Sequence, residues 1–181
     1  MRILIAFILC GTITAIAQNG SFVVDTTQSE VAFRITHLAA FKVNGTFTNY
    51  SGNINFDNGA FRSLTAKVMV NSIDTGNDER DDILRTEPYF DISNFPDISF
   101  SADNITSVED ETILSGRLTI KGEQRELKIP VIIDHDAASG RLEMSGETMI
   151  RRKEYDLVFG SMNGLIGDKV DIKLRIVSFK D

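Results

Sequence analysis

Two histidines are the residues of this chain best suited to acid-base chemistry near neutral pH. His37 ends an apolar, alternating segment, and His135 lies in a polar turn. An imidazole titrates close to pH 7, so either histidine could serve as a general base. The sequence contains no Gly-x-Ser-x-Gly motif, which is the usual signal of an activated serine. A hydrogen-bonded structural histidine is the more common outcome at a position like that of His37, so we expect no catalytic residue.

An acidic cluster supplies oxygen atoms of the kind that bind Ca²⁺. It consists of Asp74, Asn77, Asp78, Asp81 and Asp82. An EF-hand loop that began at Asp74 would need a glutamate in its last position, where this chain has Arg85. Carboxylates are also favourable in the first turn of a helix, and Asp78 could act as the N-cap. We therefore predict a capped helix with ion pairs from Arg80 and Arg85, and no metal site.

The first 17 residues have the pattern of a secretory signal peptide. Arg2 precedes the apolar run ILIAFILCGTITAIA, which has small residues at Ala15 and Ala17. We predict cleavage after Ala17, leaving one domain over residues 18–181 that is periplasmic or secreted, with no stable membrane insertion. Cleavage would remove the only cysteine, Cys10, and would change the net charge from −7 to −8. An acidic chain without a basic run is a poor partner for nucleic acid.

The segments that must position these residues alternate between apolar and polar side chains, as half-buried strands do. We predict strands over residues 30–37, 41–47, 52–56, 64–70, 98–102, 114–120, 127–133, 142–150 and 170–176. Asn58 and Gly59 predict a hairpin turn. About eight to ten turn-joined strands predict an antiparallel sandwich or barrel, and a barrel of about eight would enclose room for one small ligand. Gly45, Gly116 and Gly146 fall on the apolar faces, where they suggest bends, bulges or space for a ligand.

The stretch from Ser72 to Ala102 interrupts this alternation. Its acidic cluster predicts a short helix, which Pro88 prevents from running on. Tyr89, Phe90 and Phe95 then supply aromatic surface. We expect this stretch to lie across one end of the sheet and to close a barrel over an apolar interior.

The same stretch, SIDTGNDERDDILRTEPYFDISNFPDISFSA, resembles the signature of the YceI-like family of secreted, lipocalin-like proteins. The segments DTTQSEVAFRITH and VNGTFTNYSGNINFD are similar to the family's opening strands. SGRLTIKGEQRELKIPV, IRRKEYD and GDKVDIKLRI are similar to its middle hairpin, its late motif and its last strand. The family commonly has histidine where this chain has Gln28, and glycine where it has Asp156. We expect altered local geometry or head-group contacts at those two positions.

The resemblance implies an all-β fold, an antiparallel lipocalin-like barrel of about eight strands with one short helix capping it. It implies a non-enzymatic protein that holds an isoprenoid, an isoprenoid quinone or a fatty-acid-like chain, with no cofactor beyond such a lipid. The expected partner is therefore an apolar lipid, and a homodimer is compatible with the sequence.

The residues expected to contact that lipid lie on the inward faces of the strands and near an entrance. The apolar candidates are Phe33, Ile35, Phe47, Ile54, Phe56, Val68, Val70, Leu118, Ile120 and Met144. The polar candidates for a quinone or pyrophosphate head group are His37, Arg80, Asp81 and Arg152. Ordinary core packing or ion pairing would also account for each of them. Two other functions stay open: a lipid-acting hydrolase or isomerase that uses His37, and a stress-associated interaction module whose barrel is filled by its own side chains.

Overall fold

A computed structural model describes residues 20–38, 41–57, 60–109, 111–159 and 163–181. The predicted signal peptide and the Asn58–Gly59 turn lie outside the described residues. The strands are β1 Gly20–Val24, β2 Glu30–His37, β3 Phe41–Phe47, β4 Tyr50–Asp57, β5 Ala60–Met69, β6 Ile73–Asp74, β7 Asp97–Val108, β8 Glu111–Ile120, β9 Glu123–Asp136, β10 Arg141–Arg151 and β11 Ile166–Lys180. One α-helix, α1 Asp78–Arg85, and two 3-10 helices, Val70–Ser72 and Arg152–Tyr155, complete the described secondary structure.

Eight strands form a closed antiparallel barrel in the order β1, β4, β5, β7, β8, β9, β10 and β11. The ring closes where β1 pairs with the carboxyl end of β11, with Phe22 opposite Lys180 and Val24 opposite Ser178. Closure leaves no unpaired edge in the ring, which is the usual solution for an antiparallel sheet. The predicted barrel of about eight strands is therefore confirmed.

The three remaining strands lengthen the wall at one end. The 15-residue strand β11 pairs with β1 near its carboxyl end and with β2 nearer its amino end, where Ile35 lies opposite Val170. β3 pairs with β2 along its whole length, and β6 adds a short pairing in which Phe47 lies opposite Ile73. Inward residues alternate with outward ones along these strands, as they do in the ring.

The interior has a buried core cluster at each end. At what we call the aromatic end, Phe22 makes edge-to-face contacts with Phe56 and His135, and Phe56 with Phe61. At the opposite end, Leu118, Ile120, Ile150, Tyr155, Leu157 and Phe159 form a second buried cluster. Leu84 of α1 and the following Tyr89 and Phe90 pack against that second cluster, and we call this the helix end. The expected position of the stretch 72–102 across one end of the barrel is thus confirmed.

The start and the end of α1 differ in detail from the prediction. The N-cap is Asn77, whose side-chain Oδ1 accepts the Arg80 N–H at 2.8 Å, and Asp78 is the first helical residue. The helix stops at Arg85, before Pro88 can act, because the Thr86 N–H and hydroxyl both donate to the carbonyl of Ile83. No helix in the described part of the chain is long and apolar enough to cross a bilayer.

Two of the three inward-facing glycines make room for aromatic rings of neighbouring strands. A β-carbon on Gly45 would lie 2.3 Å from Cζ of Phe33, the residue directly opposite it on β2. A β-carbon on Gly116 would lie 2.6 Å from Cζ of Phe100 and 2.5 Å from the Ser101 carbonyl oxygen, so both a ring and the backbone exclude it. At Gly146 the constraint is backbone, because a β-carbon there would lie 2.5 Å from the Pro130 carbonyl oxygen. Packing with neighbouring chain atoms therefore explains these glycines, and a ligand does not need the space beside them.

Candidate functional site

A cavity of about 540 Å³ occupies the barrel between the two core clusters. Its wall is built almost entirely from the inward, apolar side chains of the strands, together with residues of α1 and of the turns that follow. The volume falls in the range of about 300–1,000 Å³ that is typical of sites for small molecules and cofactors. The period-two alternation of the strands thus encloses an apolar space as well as a packed core.

The structure brings most of the predicted site residues together around this cavity. Those that line it are Phe33, Ile35, His37, Phe47, Ile54, Val68, Arg80, Leu118, Ile120, Met144 and Arg152. They come from β2, β3, β4, β5, β8, β10, α1 and the 3-10 helix that follows β10. Their contact with a ligand stays a prediction.

Three predicted residues lie elsewhere. Phe56 packs with Phe22, Phe61 and His135 at the aromatic end. Val70 is 1% exposed, but it belongs to a 3-10 helix and its N–H donates to the Pro96 carbonyl, so the alternation of β5 does not extend to it. Asp81 is buried in contacts with Thr75.

Several residues that line the cavity were not among those predicted from the sequence. Leu84, Tyr89 and Phe90 line the cavity from the helix and its turns, and Leu157 and Phe159 line it from an irregular segment. The aromatic run after Pro88 was a usable signal for the first group, since the stretch was expected to cover the barrel. The segment 157–159 carries no periodicity, and only the tertiary structure assigns it to the site.

Arg152 is fully buried, and its guanidinium donates hydrogen bonds mainly to backbone carbonyls. Nε donates to the Gly167 carbonyl at 2.8 Å, and Nη2 donates to the Ile166 carbonyl at 2.9 Å and to Asn163 Oδ1 at 2.8 Å. Nη1 donates to the Leu157 carbonyl. Burial lowers the pKa of this guanidinium from its usual value, while the negative charge of Asp168 opposes the shift. Arginine keeps its proton in proteins, so Arg152 is a buried cation that ties the chain together after β10.

The guanidinium of Arg152 also lies 4.7 Å from the centre of the Phe159 ring, within the range of a cation-π contact. The Tyr89 ring packs against the same Phe159 ring, with 5.0 Å between the two ring centres. These contacts hold the turn after α1 against the segment that follows β10. They position the apolar wall at the helix end, and they leave Arg152 little capacity for a head group.

Arg80 and Asp81 are linked through Thr75. The Asp81 carboxylate accepts hydrogen bonds from the Thr75 N–H at 3.1 Å and from its hydroxyl at 2.5 Å. Arg80 donates from Nε to the Thr75 hydroxyl oxygen at 2.7 Å and from Nη2 to the Thr75 carbonyl at 2.8 Å. The ion pair predicted from Arg80 is not formed within the described chain, because Thr75 stands between its guanidinium and the Asp81 carboxylate.

The oxygens of the acidic cluster are engaged in the turn and the helix start. Asp74 Oδ1 accepts the Gly76 N–H at 2.8 Å, and Asp82 pairs with Arg85 at 2.8 Å. Among the described residues, no group of three or more His, Cys, Asp or Glu side chains is arranged to hold a metal ion. The geometry of this cluster is that of a capped helix.

His37 carries an unsatisfied polar atom at the cavity wall. It ends β2, where it lies opposite Phe41 on one side and Ile166 on the other. Its Nε2 is buried and has no hydrogen-bond partner among the described residues. A buried polar atom left unpaired costs about 1–3 kcal/mol, so this nitrogen is a natural contact for a polar group on a ligand.

Comparison with known proteins places the chain in a family. The sequence model of the YceI-like domain matches residues 22–178. Protein YceI of Salmonella newport is 26% identical over 159 residues, which cover 84% of this chain and 83% of that protein.

Two solved structures have the same fold. BcnA of Burkholderia cenocepacia superposes with a TM-score of 0.77 at 23% identity, covering 85% of this chain and 98% of that one. A polyisoprenoid binding domain from Saccharophagus degradans, described as implicated in plant cell wall breakdown, superposes with a TM-score of 0.74 at 16% identity. That match covers 91% of this chain and all of the other. By its sequence match and its barrel, this chain belongs to the YceI-like family.

Proposed function

We propose that this protein is a non-enzymatic carrier that holds one long apolar lipid inside the barrel. The observation that carries the proposal is the apolar cavity of about 540 Å³. The polyisoprenoid binding described for the Saccharophagus degradans domain supports the same ligand class. An isoprenoid, an isoprenoid quinone or a fatty-acid-like chain would suit the wall.

The size of the cavity argues for an occupant. Engineered cavities cost about 24 cal/mol per Å³, so an empty void of this size would forfeit on the order of 10 kcal/mol. That cost is comparable with the total stability of about 5–15 kcal/mol of a typical domain. A chain of about ten methylene-sized groups would recover about 0.8 kcal/mol for each group buried. Lipid binding therefore stabilises the fold as well as shielding the lipid.

We place the polar head of the lipid at the helix end, beside His37. Its Nε2 is buried and has no hydrogen-bond partner in the described part of the chain, and an imidazole nitrogen can donate to a carbonyl or hydroxyl oxygen or accept from a hydroxyl. Asp81 and most of the donors of Arg152 are already engaged within the protein. A neutral or singly charged head suits this environment better than a bare pyrophosphate, which would call for several free cations.

Neither alternative function gains comparable support. A general base needs a group that orients it, and no carboxylate bonds His37 within the described chain. An interaction module with a self-filled barrel does not account for the cavity. A catalytic His37 would be revealed by turnover of bound lipid that His37→Ala abolishes without loss of lipid retention.

We also propose that the protein acts in the periplasm or outside the cell. The signal-peptide pattern of residues 1–17 supports this location. A lipid carrier also has a role there, because an apolar chain that crosses an aqueous compartment needs a protein shield.

The proposal is tested by extracting lipid from protein purified without detergent and measuring it by mass spectrometry. Val68→Trp places a large ring in the cavity wall, and Ile132→Trp places the same ring on the outer wall, where Ile132 is 75% exposed. We expect one lipid per chain from the wild type and from Ile132→Trp, and much less from Val68→Trp at similar fold content. Equal recovery from all three proteins, or none from the wild type, would reject the proposal.

A further inference from the structure

The exposed apolar side chains of the barrel are concentrated at the helix end. Leu38 and Phe41, on either side of the β2–β3 turn, are 47% and 66% exposed, and Leu165 is 44% exposed. These three are neighbours, because the Leu38 N–H donates to the Leu165 carbonyl at 2.7 Å and Phe41 lies opposite His37. Exposed apolar patches of this kind mark surfaces that meet an apolar partner.

Val158 is a fourth exposed apolar residue at the helix end, between Leu157 and Phe159 of the buried cluster there. It is 42% exposed, and it follows Leu157, which lines the cavity. The Arg152 guanidinium donates to the carbonyl of Leu157, which precedes Val158, and to the carbonyl of Ile166, which follows Leu165. One buried side chain thus holds the backbone next to Val158 close to the backbone next to Leu165. We call Leu38, Phe41, Val158 and Leu165 the apolar tip.

A basic collar lies beside the apolar tip. Lys42, Lys169 and Arg151 are exposed at the tip-proximal ends of β3, β11 and β10, and Lys153 follows in the 3-10 helix. Of the nearby carboxylates, Asp168 and Glu154 pair with Arg151 at 3.4 and 4.0 Å, and Asp156 pairs with Lys121 at 3.7 Å. Asp171, two residues beyond Lys169 on β11, is also exposed. Within the described chain, the three lysines of the collar make no ion pair, and the basic side chains outnumber the acidic ones. This local excess of positive charge stands out on a chain whose net charge is −7.

We propose that the apolar tip docks the barrel onto the surface of an anionic lipid bilayer. This inference rests on the proposed function, because a bilayer is the source or destination of an apolar lipid. Apolar side chains that enter the acyl region below a ring of lysines are the pattern of interfacial membrane binding, with the cations meeting lipid phosphates. The tip is continuous with the cavity wall, since His37 and Ile166 line the cavity directly behind Leu38 and Leu165.

The charge pattern also sets the orientation of docking. The exposed residues of α1 include Asp78, Glu79 and Asp82, which an anionic surface repels. Ile83, although 50% exposed, is therefore on the wrong side to enter the bilayer. The barrel meets the membrane with Leu38, Phe41 and the start of β11, and α1 faces the solvent.

A single tryptophan tests this directly, because the chain contains none. Phe41→Trp places the probe on the tip, and Ile132→Trp places it on the barrel wall as a matched control. With phosphatidylglycerol–phosphatidylethanolamine vesicles that carry brominated acyl chains, we expect quenching and a shift to shorter wavelength for Phe41→Trp alone. Adding Leu165→Ser should weaken its vesicle affinity about tenfold or more, since a large apolar side chain is lost from the contact. Lys42→Glu, higher salt or phosphatidylcholine vesicles should also weaken it.

Several results would overturn the inference. One is vesicle binding without a change in the emission of Phe41→Trp, which would place the contact elsewhere, for example in the apolar N-terminal segment. Another is a wild-type dimer in solution that Leu165→Ser converts to a monomer, which would make the tip a contact between two copies. Lipid extraction from the same preparations separates the two proposals. Recovered lipid with an unquenched probe rejects only the docking, and absence of lipid rejects the carrier function.

Discussion

Arg152 shows how a single residue determines the architecture of the helix end. A buried guanidinium normally has a carboxylate partner, but here carbonyls of Leu157, Ile166 and Gly167 surround it. Leu157 lies in an irregular segment, and Ile166 and Gly167 are the first two residues of β11, so one planar, multi-donor side chain joins that segment to the start of the strand. The segment that carries Leu157 and Phe159 into the cavity wall depends on this group.

Replacing Arg152 should therefore cost more than an ordinary core substitution. Arg152→Met fills similar space but leaves several buried carbonyls unpaired, and we expect the free energy of unfolding to fall by about 3 kcal/mol or more. Arg152→Lys keeps the charge but cannot reach all of the acceptors, and should fall in between. Urea denaturation of the three proteins measures the effect. Equal stability of Arg152→Met and the wild type would show that the carbonyls find other partners.

The backbone conformation of Asp156 accounts for the glycine that the family commonly has at this position. It has a φ of 53°, in the left-handed region that glycine enters without strain, and glycine is the residue expected there from the resemblance. Its exposed carboxylate pairs with the mostly buried side chain of Lys121, at 3.7 Å. Gln28, the other departure, lies in the turn before β2 and donates to the Asp25 carboxylate at 2.8 Å.

Two substitutions at position 156 separate backbone strain from the ion pair. Asp156→Gly and Asp156→Ala both lose the ion pair with Lys121 and keep the backbone carbonyl that accepts from its Nζ, but only glycine relieves the left-handed backbone. We expect Asp156→Gly to exceed Asp156→Ala in free energy of unfolding by about 1 kcal/mol. Chemical denaturation of both variants checks this, and indistinguishable midpoints would mean that the backbone relaxes without cost.

At the scale of elements, the facing pair Gly45 and Phe33 links β3 and β2 to the cavity. The Phe33 ring lies over Gly45 and contacts Phe47, with 5.6 Å between ring centres. The ring lines the cavity, so a larger residue at position 45 must push it inward.

Gly45→Ala should therefore lower both stability and lipid content. We expect a loss of about 1–3 kcal/mol in the free energy of unfolding, as in other overpacked cores. Adding Phe33→Leu should restore much of it, because the ring that clashes is gone. Gly164→Ala is the matched control, since a β-carbon there meets nothing within 4 Å. A loss of the same size at Gly164, or no rescue by Phe33→Leu, would contradict this mechanism.

The elements differ in how far the sequence predicted them. Alternation predicted β2 with its bounds at Glu30 and His37, because Phe33, Ile35 and His37 face the cavity and the polar Arg34 between them is exposed. The alternating pattern wrongly extended the predicted strand to Val70, because alternation alone does not reveal where a strand turns into a 3-10 helix. The sequence also could not predict where β2 and β3 join the barrel wall, because this depends on the long-range pairing of β2 with β11. In the site, the strand residues were predictable by face, whereas Leu157 and Phe159 were not.

At the scale of the whole molecule, the barrel separates two tasks. The aromatic end is packed with stacked and edge-to-face rings. The helix end carries the His37 nitrogen that has no hydrogen-bond partner among the described residues, together with the apolar tip and the basic collar. A lipid held between the two ends would have its tail toward Phe22 and its head toward His37. If the barrel holds a lipid as proposed, this difference between its two ends would favour one orientation of the lipid.

Native mass spectrometry of the intact protein, compared with the denatured protein, tests the central claim most directly. We predict that the folded protein is heavier than its chain by the mass of one apolar lipid, and that denaturation releases this mass. Val68→Trp should lose the extra mass, whereas Ile132→Trp should keep it. A folded wild-type protein whose mass equals that of its chain, and which takes up no added quinone or polyprenyl lipid, would contradict the account.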